Sequence, residues 1–276
     1  MQRATQADAA AIDGFLASHI ETSMFPLSNL RTHGLDGAHP RAISVWIDPE
    51  TGGMLAVTRE GMILPQLPGF KDWARLKPLL LDRSLIGCLG ETDQVRALLM
   101  ACGLQDRQMN NDSDEPLMRM DLDDLTEQEG EGRLLPLAVA SRELIESWRT
   151  AYHLEVMGTP ADQAEALARR DIESYISADT HRVLVIEDVP VAMTGFNAVC
   201  GDVIQIGGVY TPPELRQRGY AGRALHLHLA EAARSGKARA ILFAASEAAA
   251  GVYRRTGFEI IGSYSMCLFR DPERIG

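Results

Sequence analysis

Positive charge is in short supply in this chain of 276 residues, where 27 lysines and arginines face 38 aspartates and glutamates for a net charge of −11. A surface of that sign opposes broad electrostatic binding of DNA or RNA, which depends on lysine and arginine neutralising phosphates, so no nucleic-acid partner is expected. Cysteine is also scarce. Cys88, Cys102, Cys200 and Cys267 stand far apart with no CxxC pair, which argues against a disulfide framework and reads as reduced thiols in a cytoplasmic protein. No apolar run approaches the roughly 20 residues of a membrane helix. The first fifteen residues lack an apolar core followed by a cleavage site, so neither a membrane partner nor a signal peptide is expected. Metal ligands are missing in any usable spacing: His226 and His228, two apart on a helical pattern, point to different sides. What remains is an ordinary globular balance, 46% hydrophobic and 24% charged, long enough for two domains.

The pattern along the chain is α/β, with antiparallel strands mixed into a parallel-type crossover. Ile12, Phe15, Leu16, His19 and Ile20 fall at helical spacing within Ala9–Met24. Short strands follow at Ala42–Ile47, Met54–Thr58 and Met62–Leu64, then a short helix near Trp73, a strand at Leu85–Leu89, a helix at Thr92–Ala101 and a strand near Met118–Leu122. The acidic stretch Asp121–Gly132 reads as an exposed linker, dividing the chain into domains 1–125 and 126–276. The second half opens with a strand at Leu134–Val139 and a helix capped by Ser141, with Leu144, Ile145, Trp148 and Tyr152 on one face. A second helix starts at Thr159-Pro160. Strands at Arg182–Glu187, Val191–Val199 and Val203–Tyr210 precede a helix at Ala221–Arg234. The apolar run Ala240–Ala245 reads as a buried strand. A short helix, Glu247–Arg255, and a strand, Phe258–Phe269, broken near Gly262, complete the chain. The halves share a rhythm, and Gly90 with Val95-Arg-Ala-Leu98 echoes Gly219 with Gly222-Arg-Ala-Leu225, as in a diverged duplication.

Chemistry concentrates in Val209-Tyr-Thr-Pro-Pro-Glu-Leu-Arg216-Gln-Arg218-Gly219-Tyr-Ala221-Gly222, where a strand ends and a helix begins. Small residues at Gly219, Ala221 and Gly222 let a ligand approach the backbone. The first helical N–H groups lack intrahelical partners and, with the helix dipole, make an anion site. Arg216 and Arg218 add positive charge, a combination suited to a diphosphate. The spacing is neither that of a Walker loop nor of GxGxxG, and an ordinary strand-to-helix turn with two solvated arginines has the same look.

This segment resembles the GCN5-related N-acetyltransferase (GNAT) superfamily, whose hallmark Arg/Gln-x-x-Gly-x-Gly/Ala is met by Arg216-Gln-Arg-Gly219-Tyr-Ala221. The family's fifth strand is followed by Asn, seven residues later by Tyr, and then by Gly-Phe. Here Ser246, Tyr253 and Gly257-Phe258 follow Ala240–Ala245, with Ser246 the departure. The resemblance covers about Arg133 to Arg270. It implies acetyl-CoA, or another acyl-CoA, as co-substrate, with the pyrophosphate on the amides of Gln217, Arg218, Gly219, Tyr220, Ala221 and Gly222. It also implies a splay between the fourth and fifth strands that admits the pantetheine arm to Val209, Tyr210, Thr211 and Ser246. The Val209 amide would polarise the thioester carbonyl. Tyr253 matches the family's acid for the leaving thiolate, although a tyrosine in the stripe Ala249, Val252, Tyr253 also fits a core position. Glu155 borders the implied acceptor pocket and is a candidate base or an exposed surface group; Asn197 and Gln205 are candidates to hold the amine.

The N-terminal half has no such loop. Gly87-Cys-Leu-Gly90-Glu-Thr-Asp occupies the corresponding turn, and Glu91 and Asp93 would repel a diphosphate, so this half reads as a degenerate acetyltransferase-like lobe in a tandem arrangement. The expected function is transfer of an acetyl group to the primary amine of a small molecule or peptide, by a monomer or dimer. A non-catalytic acyl-CoA sensor is the alternative, and a tRNA-fed aminoacyltransferase a more distant one.

Overall fold

The computed structural model describes residues 1–126 and 130–275. It divides into two compact units, Met1–Glu115 with Gly262–Gly276, and Pro116–Ile261. The division therefore differs from a cut at residue 125. Leu122–Asp124, expected in a linker, is a 3-10 turn whose Leu122 is buried in the second unit's core; Glu127–Glu129 of that stretch lie outside the described residues.

The first unit runs β1 (Gln2–Arg3), α1 (Ala9–Ser18), α2 (Ile20–His33), β2 (Ile43–Ile47), β3 (Met54–Thr58), β4 (Met62–Gln66), a 3-10 turn at Trp73–Leu76 with the one-turn α3 (Lys77–Leu80), β5 (Leu85–Glu91), α4 (Thr92–Cys102) and the start of β6 (Met109–Asp121). The single helix expected at Ala9–Met24 is two, because His19 at φ −119°, ψ 39° breaks it and α2 runs on to His33. α4 stops where Gly103 takes a left-handed φ of 72° and its N–H reaches Leu99 and Met100.

The second unit repeats that order: β7 (Arg133–Pro136), α5 (Arg142–Glu155), α6 (Ala161–Ser177), β8 (His181–Ile186), β9 (Val189–Cys200), β10 (Val203–Tyr210), α7 (Tyr220–Arg234), β11 (Arg239–Phe243), α8 (Glu247–Thr256) and the start of β12 (Glu259–Glu273). The hydroxyl of Ser141 caps α5 by accepting from the Leu144 amide. The inner face of α7, with Ala224, Leu225 and Leu229 fully buried, covers β-strand residues such as Ile204 and Ala240.

The last strand of each half changes units. Residues Tyr264–Leu268 of β12 pair antiparallel with β5, giving the first sheet the order β1-β2-β3-β4-β5-β12. Residues Leu117–Asp121 of β6 pair antiparallel with β11, giving the second β6-β11-β10-β9-β8-β7. β12 is continuous through Gly262, where a break was expected. Cys267, Phe269 and Ile275 bury themselves among Leu85, Cys88, Val95 and Leu98 of the first unit.

Truncating the 5%-exposed Phe269 to alanine removes a core ring from that cluster and is expected to destabilise the first unit by about 3–5 kcal/mol. Hydrogen exchange should speed up at Leu85–Glu91 while His181–Ile186 stays protected. Equal deprotection of both segments would show that β12 does not belong to the first unit alone.

Candidate functional site

Two parallel strands of the second unit part company in mid-course. β10 and β11 pair at Val203↔Arg239, Ile204↔Ala240 and Gln205↔Ile241, and there the parallel register ends, five residues before β10 does. On the other side β10 stays paired with β9 through a bulge, with register shifts after Gln205 and between Gly207 and Tyr210. Glycine suits the bulge: Gly208 has φ +64°, whereas a Cβ on Gly207 would displace the amide end of exposed Asn197. Gly195 makes room for the ring of His181, which a Cβ would approach to 2.0 Å. Gln205 is buried and donates through Nε2 to the Ile206 carbonyl at 2.8 Å, supplying a partner within the diverging segment. Gln205 is thus engaged with its own strand, whereas Asn197 is exposed.

Beyond Tyr210 the chain turns through Pro213–Leu215, passes Gln217 at φ 63° and Gly219 at φ 78°, and enters α7. The Arg223 amide makes its bond to the Gly219 carbonyl at 3.0 Å, so the amides of Tyr220, Ala221 and Gly222 precede the helical ladder. They open onto a cavity of about 730 Å³ lined by the unbroken run Leu215–Arg223, by Thr211, and by Val252, Arg255 and Thr256 of α8. Arg218, Arg223 and Arg255, set against Glu131, give its wall a net positive cast. The Thr211 hydroxyl is buried without a hydrogen-bond partner. An anionic ligand with polar oxygens fits this donor set, and bare backbone at Gly219 and Gly222 leaves it room.

The sequence-predicted residues fall into two groups. Thr211, Arg216, Gln217, Arg218, Gly219, Tyr220, Ala221 and Gly222 all line the cavity. Val209, Tyr210, Ser246, Tyr253 and Glu155 do not. Val209 packs at the edge of the core that holds Tyr253. Tyr253 is buried there, edge-on to Phe258 with ring centroids 6.0 Å apart, although its helix neighbours Val252 and Thr256 face the cavity. Ser246 is exposed, and its hydroxyl caps α8 by accepting from the Ala249 amide at 3.2 Å. Glu155, at the end of α5, accepts from Arg216 Nη2 at 2.5 Å and from the Tyr210 hydroxyl at 3.4 Å. Arg216 also donates through Nε to the Thr211 carbonyl at 2.9 Å. The hydrogen bond to Glu155 raises the Arg216 pKa, while burial, followed by the Glu155 charge, raises that of Tyr210.

Behind this group lies a cluster that pattern reading missed. Arg149 and His153, one turn apart on α5, converge on Oδ2 of Asp171 from α6, at 2.6 Å and 2.9 Å. The guanidinium lies 4.7 Å over Tyr152 and 5.4 Å from the Tyr175 ring. Burial pushes the Asp171 carboxyl up, but the bonds from His153 and Arg149 outweigh it and hold its pKa below the usual range. The i, i+4 pair Arg149/His153 was the available signal, but it does not announce a partner 22 residues downstream. His181 stacks on Tyr175 at 3.5 Å, and His228 on Phe196 at 3.8 Å.

Among the described residues, no group of three or more histidines, cysteines or acids is arranged to hold a metal, and no helix is long and apolar enough to cross a membrane. In the first unit, the fourth strand leads to Leu67–Asp72, so the topological counterpart of the loop is that segment and not Gly87–Asp93, which leads from the fifth strand into α4. Counted back from the strand ends, Pro65 stands where Val209 stands in the second unit. The Gly61 carbonyl accepts from Ile86 of β5, so by strand alternation Pro65 faces the β5 side, with no N–H to offer. The Leu67 amide is taken by Gln94 Oε1 at 2.6 Å. The helix that should follow is reduced to a 3-10 turn and the four residues of α3.

These features define a class: an α/β unit with an anion-binding helix start at the point where its central strands diverge. Residues 142–258, within the second unit, match the model of the Acetyltransferase (GNAT) family. A GCN5-related N-acetyltransferase from Kribbella flavida is similar in structure at 17% identity and a TM-score of 0.53, over 92% of this chain and 95% of that one. A GNAT-family acetyltransferase from Colwellia psychrerythraea gives 14% and 0.53 over 98% and 99%. A tandem GNAT protein from the clavulanic acid biosynthesis pathway gives 14% and 0.54 over 98% and 97%. At these identities the likeness is one of fold, and it spans both units. Among curated proteins, no sequence matches.

The buried histidines make acid stability a readout of this core. Burial, aided by Arg182, pushes the His228 imidazole down to about 3 from 6.5, and burial with Arg149 and His228 nearby pushes His181 down as well. Both are neutral in the fold and take up protons when unfolded. Their contribution is complete above about pH 6.5 and is lost as pH falls towards the folded values. Replacing His228 by phenylalanine is expected to reduce the slope of stability between pH 6 and pH 4 by about 1.4 kcal/mol per pH unit. Urea melts with wild-type slope in the variant would show that His228 is not buried in its neutral form.

Proposed function

We propose that this protein is an acyl-CoA-dependent N-acyltransferase, most readily an acetyltransferase acting on a primary amine, with its site in the second unit. The observation that carries the reading is the cavity of about 730 Å³ whose wall is the consecutive run Leu215–Arg223 at the start of α7, beside a strand pair that stops at Gln205↔Ile241. The amides of Gln217 to Gly222 hold the diphosphate, with Arg218 close by. The diverging edge of β10 offers Val209, Tyr210 and Thr211 to the pantetheine arm, and the Thr211 hydroxyl gains the partner it otherwise lacks. The co-substrate supplies the thioester. The protein's part is to align it with the amine, to polarise its carbonyl through the Val209 amide, and to donate a proton from Tyr253 to the departing sulfur. Ser246 takes no direct part while its hydroxyl serves as a helix cap. Arg216 begins the loop and stands at the cavity wall.

The first unit is a degenerate lobe on this reading. Pro65, the Gln94 bond to Leu67 and the vestigial α3 each remove a donor that an acyl-CoA would need. The small-molecule or peptide acceptor, a cytoplasmic location and a monomeric or dimeric state complete the proposal. A sensor that binds acyl-CoA without turnover is the second reading, favoured by the burial of Tyr253 in the core away from the cavity wall.

Two variants test this. Ala221 is helical and lines the cavity, so Ala221→Glu adds a negative charge without backbone strain; at Gly219, φ +78° would confound any substitution. CoA affinity measured by calorimetry is expected to drop by at least about a hundredfold, and wild-type affinity would rule out the cavity as the CoA site. Tyr253→Phe keeps the ring and removes the hydroxyl. If the phenol is the acid, acetyl-CoA affinity holds while kcat falls at least about tenfold. A kcat within about twofold of wild type, measured where chemistry limits the rate, would rule out that role.

A further inference from the structure

Glu155 is held by a cation that a diphosphate ligand would also attract. Arg216 begins the anion-binding loop and lines its cavity, yet its guanidinium turns away to Glu155 Oε2, 2.5 Å distant. It sits 5.7 Å from the centroid of the Tyr210 ring, whose hydroxyl reaches the other Glu155 oxygen. Tyr152 packs edge-on against Tyr210 with centroids 6.4 Å apart. A carboxylate beside aromatic rings is a cation site, and Arg216 demonstrates that a cation fits it. The pair is half-exposed, with side-chain accessibilities of 45% and 39%, so it exchanges partners at low cost.

We propose that Glu155 and Tyr210 form the ammonium-recognition end of the acceptor site, that Arg216 occupies it while no cofactor is bound, and that the diphosphate draws Arg216 off and opens it to a cationic amine. The proposal rests on the acyltransferase reading and names the acceptor class, an amine that docks as its ammonium and gives up a proton to solvent before its nitrogen attacks the thioester, and an order, cofactor before acceptor. Arg216 has two anionic claimants: Glu155 in the free protein and the diphosphate in the complex. Binding of the second frees the first, so cofactor and acceptor bind with positive coupling. The candidate base thereby becomes a recognition group, because its oxygens are engaged with donors and a cation is what they hold.

The test compares wild type with Glu155→Gln, full chain in both cases. CoA is titrated by calorimetry without acceptor. Removing the competing charge is expected to tighten CoA binding about two- to fivefold, the range that a half-exposed ion pair allows. A strut that merely holds the loop predicts the reverse, so unchanged or weaker binding overturns the proposal. With saturating acetyl-CoA, acetylation of putrescine, benzylamine and lysine is then followed by thiol release. For the best wild-type acceptor, KM is expected to rise at least about tenfold in Glu155→Gln with kcat within about threefold. Tighter CoA binding with an unchanged amine KM overturns the ammonium site and leaves only the exchange of Arg216. A wild-type protein that binds CoA and acetylates none of the amines overturns the transfer reading together with this one. Failure of wild type to bind CoA at all overturns both at an earlier point.

Discussion

The second unit is organised by two strands that stop pairing. A parallel ladder that ends at Gln205↔Ile241 leaves the rest of β10 with polar backbone on one edge and no strand to satisfy it. The sequence absorbs this locally. Gln205 turns its side chain onto the Ile206 carbonyl, and glycines at 207 and 208 let the strand bulge without collision against Asn197 and His181. The cavity and the loop follow, because a strand that has left its neighbour ends apart from it, and the helix that returns the chain begins in the space between. The buried and unpartnered Thr211 hydroxyl lies at that point, where the chain leaves the strand and turns towards α7.

The first unit answers the same geometric problem differently. Its β4 and β5 pair only at Met62↔Gly87 and Ile63↔Cys88 before diverging. There the edge is closed from within: Pro65 has no N–H to leave unsatisfied, and the Leu67 amide is taken by Gln94 from α4. A divergence that is plugged by its own side chains needs no ligand, and the one-turn α3 offers no array of free amides. One topology thus carries an open edge in one unit and a sealed edge in the other, and the difference rests on a few residues.

Much of this was legible in the sequence because it is local. Hydrophobic period, caps and turn residues fix the element order, and Arg216-Gln-Arg-Gly219-Tyr-Ala221 marks the helix start that lines the cavity. Features that depend on distant partners were not legible. The strand expected near Met118–Leu122 already begins at Met109, where Arg96 of α4 bridges Asp112 and Asp114 and Ser265 donates to Asp114. Glu155 reads as a candidate base or a surface acid, and its pairing with Arg216, 61 residues on, shows only in the fold. The break placed at Gly262 mistakes the point where β12 changes units for the end of a strand. The loop counterpart placed at Gly87–Asp93 follows a local echo of glycines, whereas strand order assigns it to Leu67–Asp72.

The two halves of the sequence exchange their last strands. α8 supplies Val252, Arg255 and Thr256 to the cavity wall and carries Tyr253 on its buried side. It ends at Gly257, whose φ of 110° strains any residue with a side chain. Five residues later the chain is already in the first unit, where Cys267 and Phe269 are buried among β5 and α4. In return, β6 leaves the first unit at Pro116 and supplies Met118 and Met120 to the core against which Tyr253 packs. Neither sheet is complete without a strand from the other half of the sequence. The helix that lines the cavity therefore leads, within a few residues of chain, into the strand that completes the first unit's sheet.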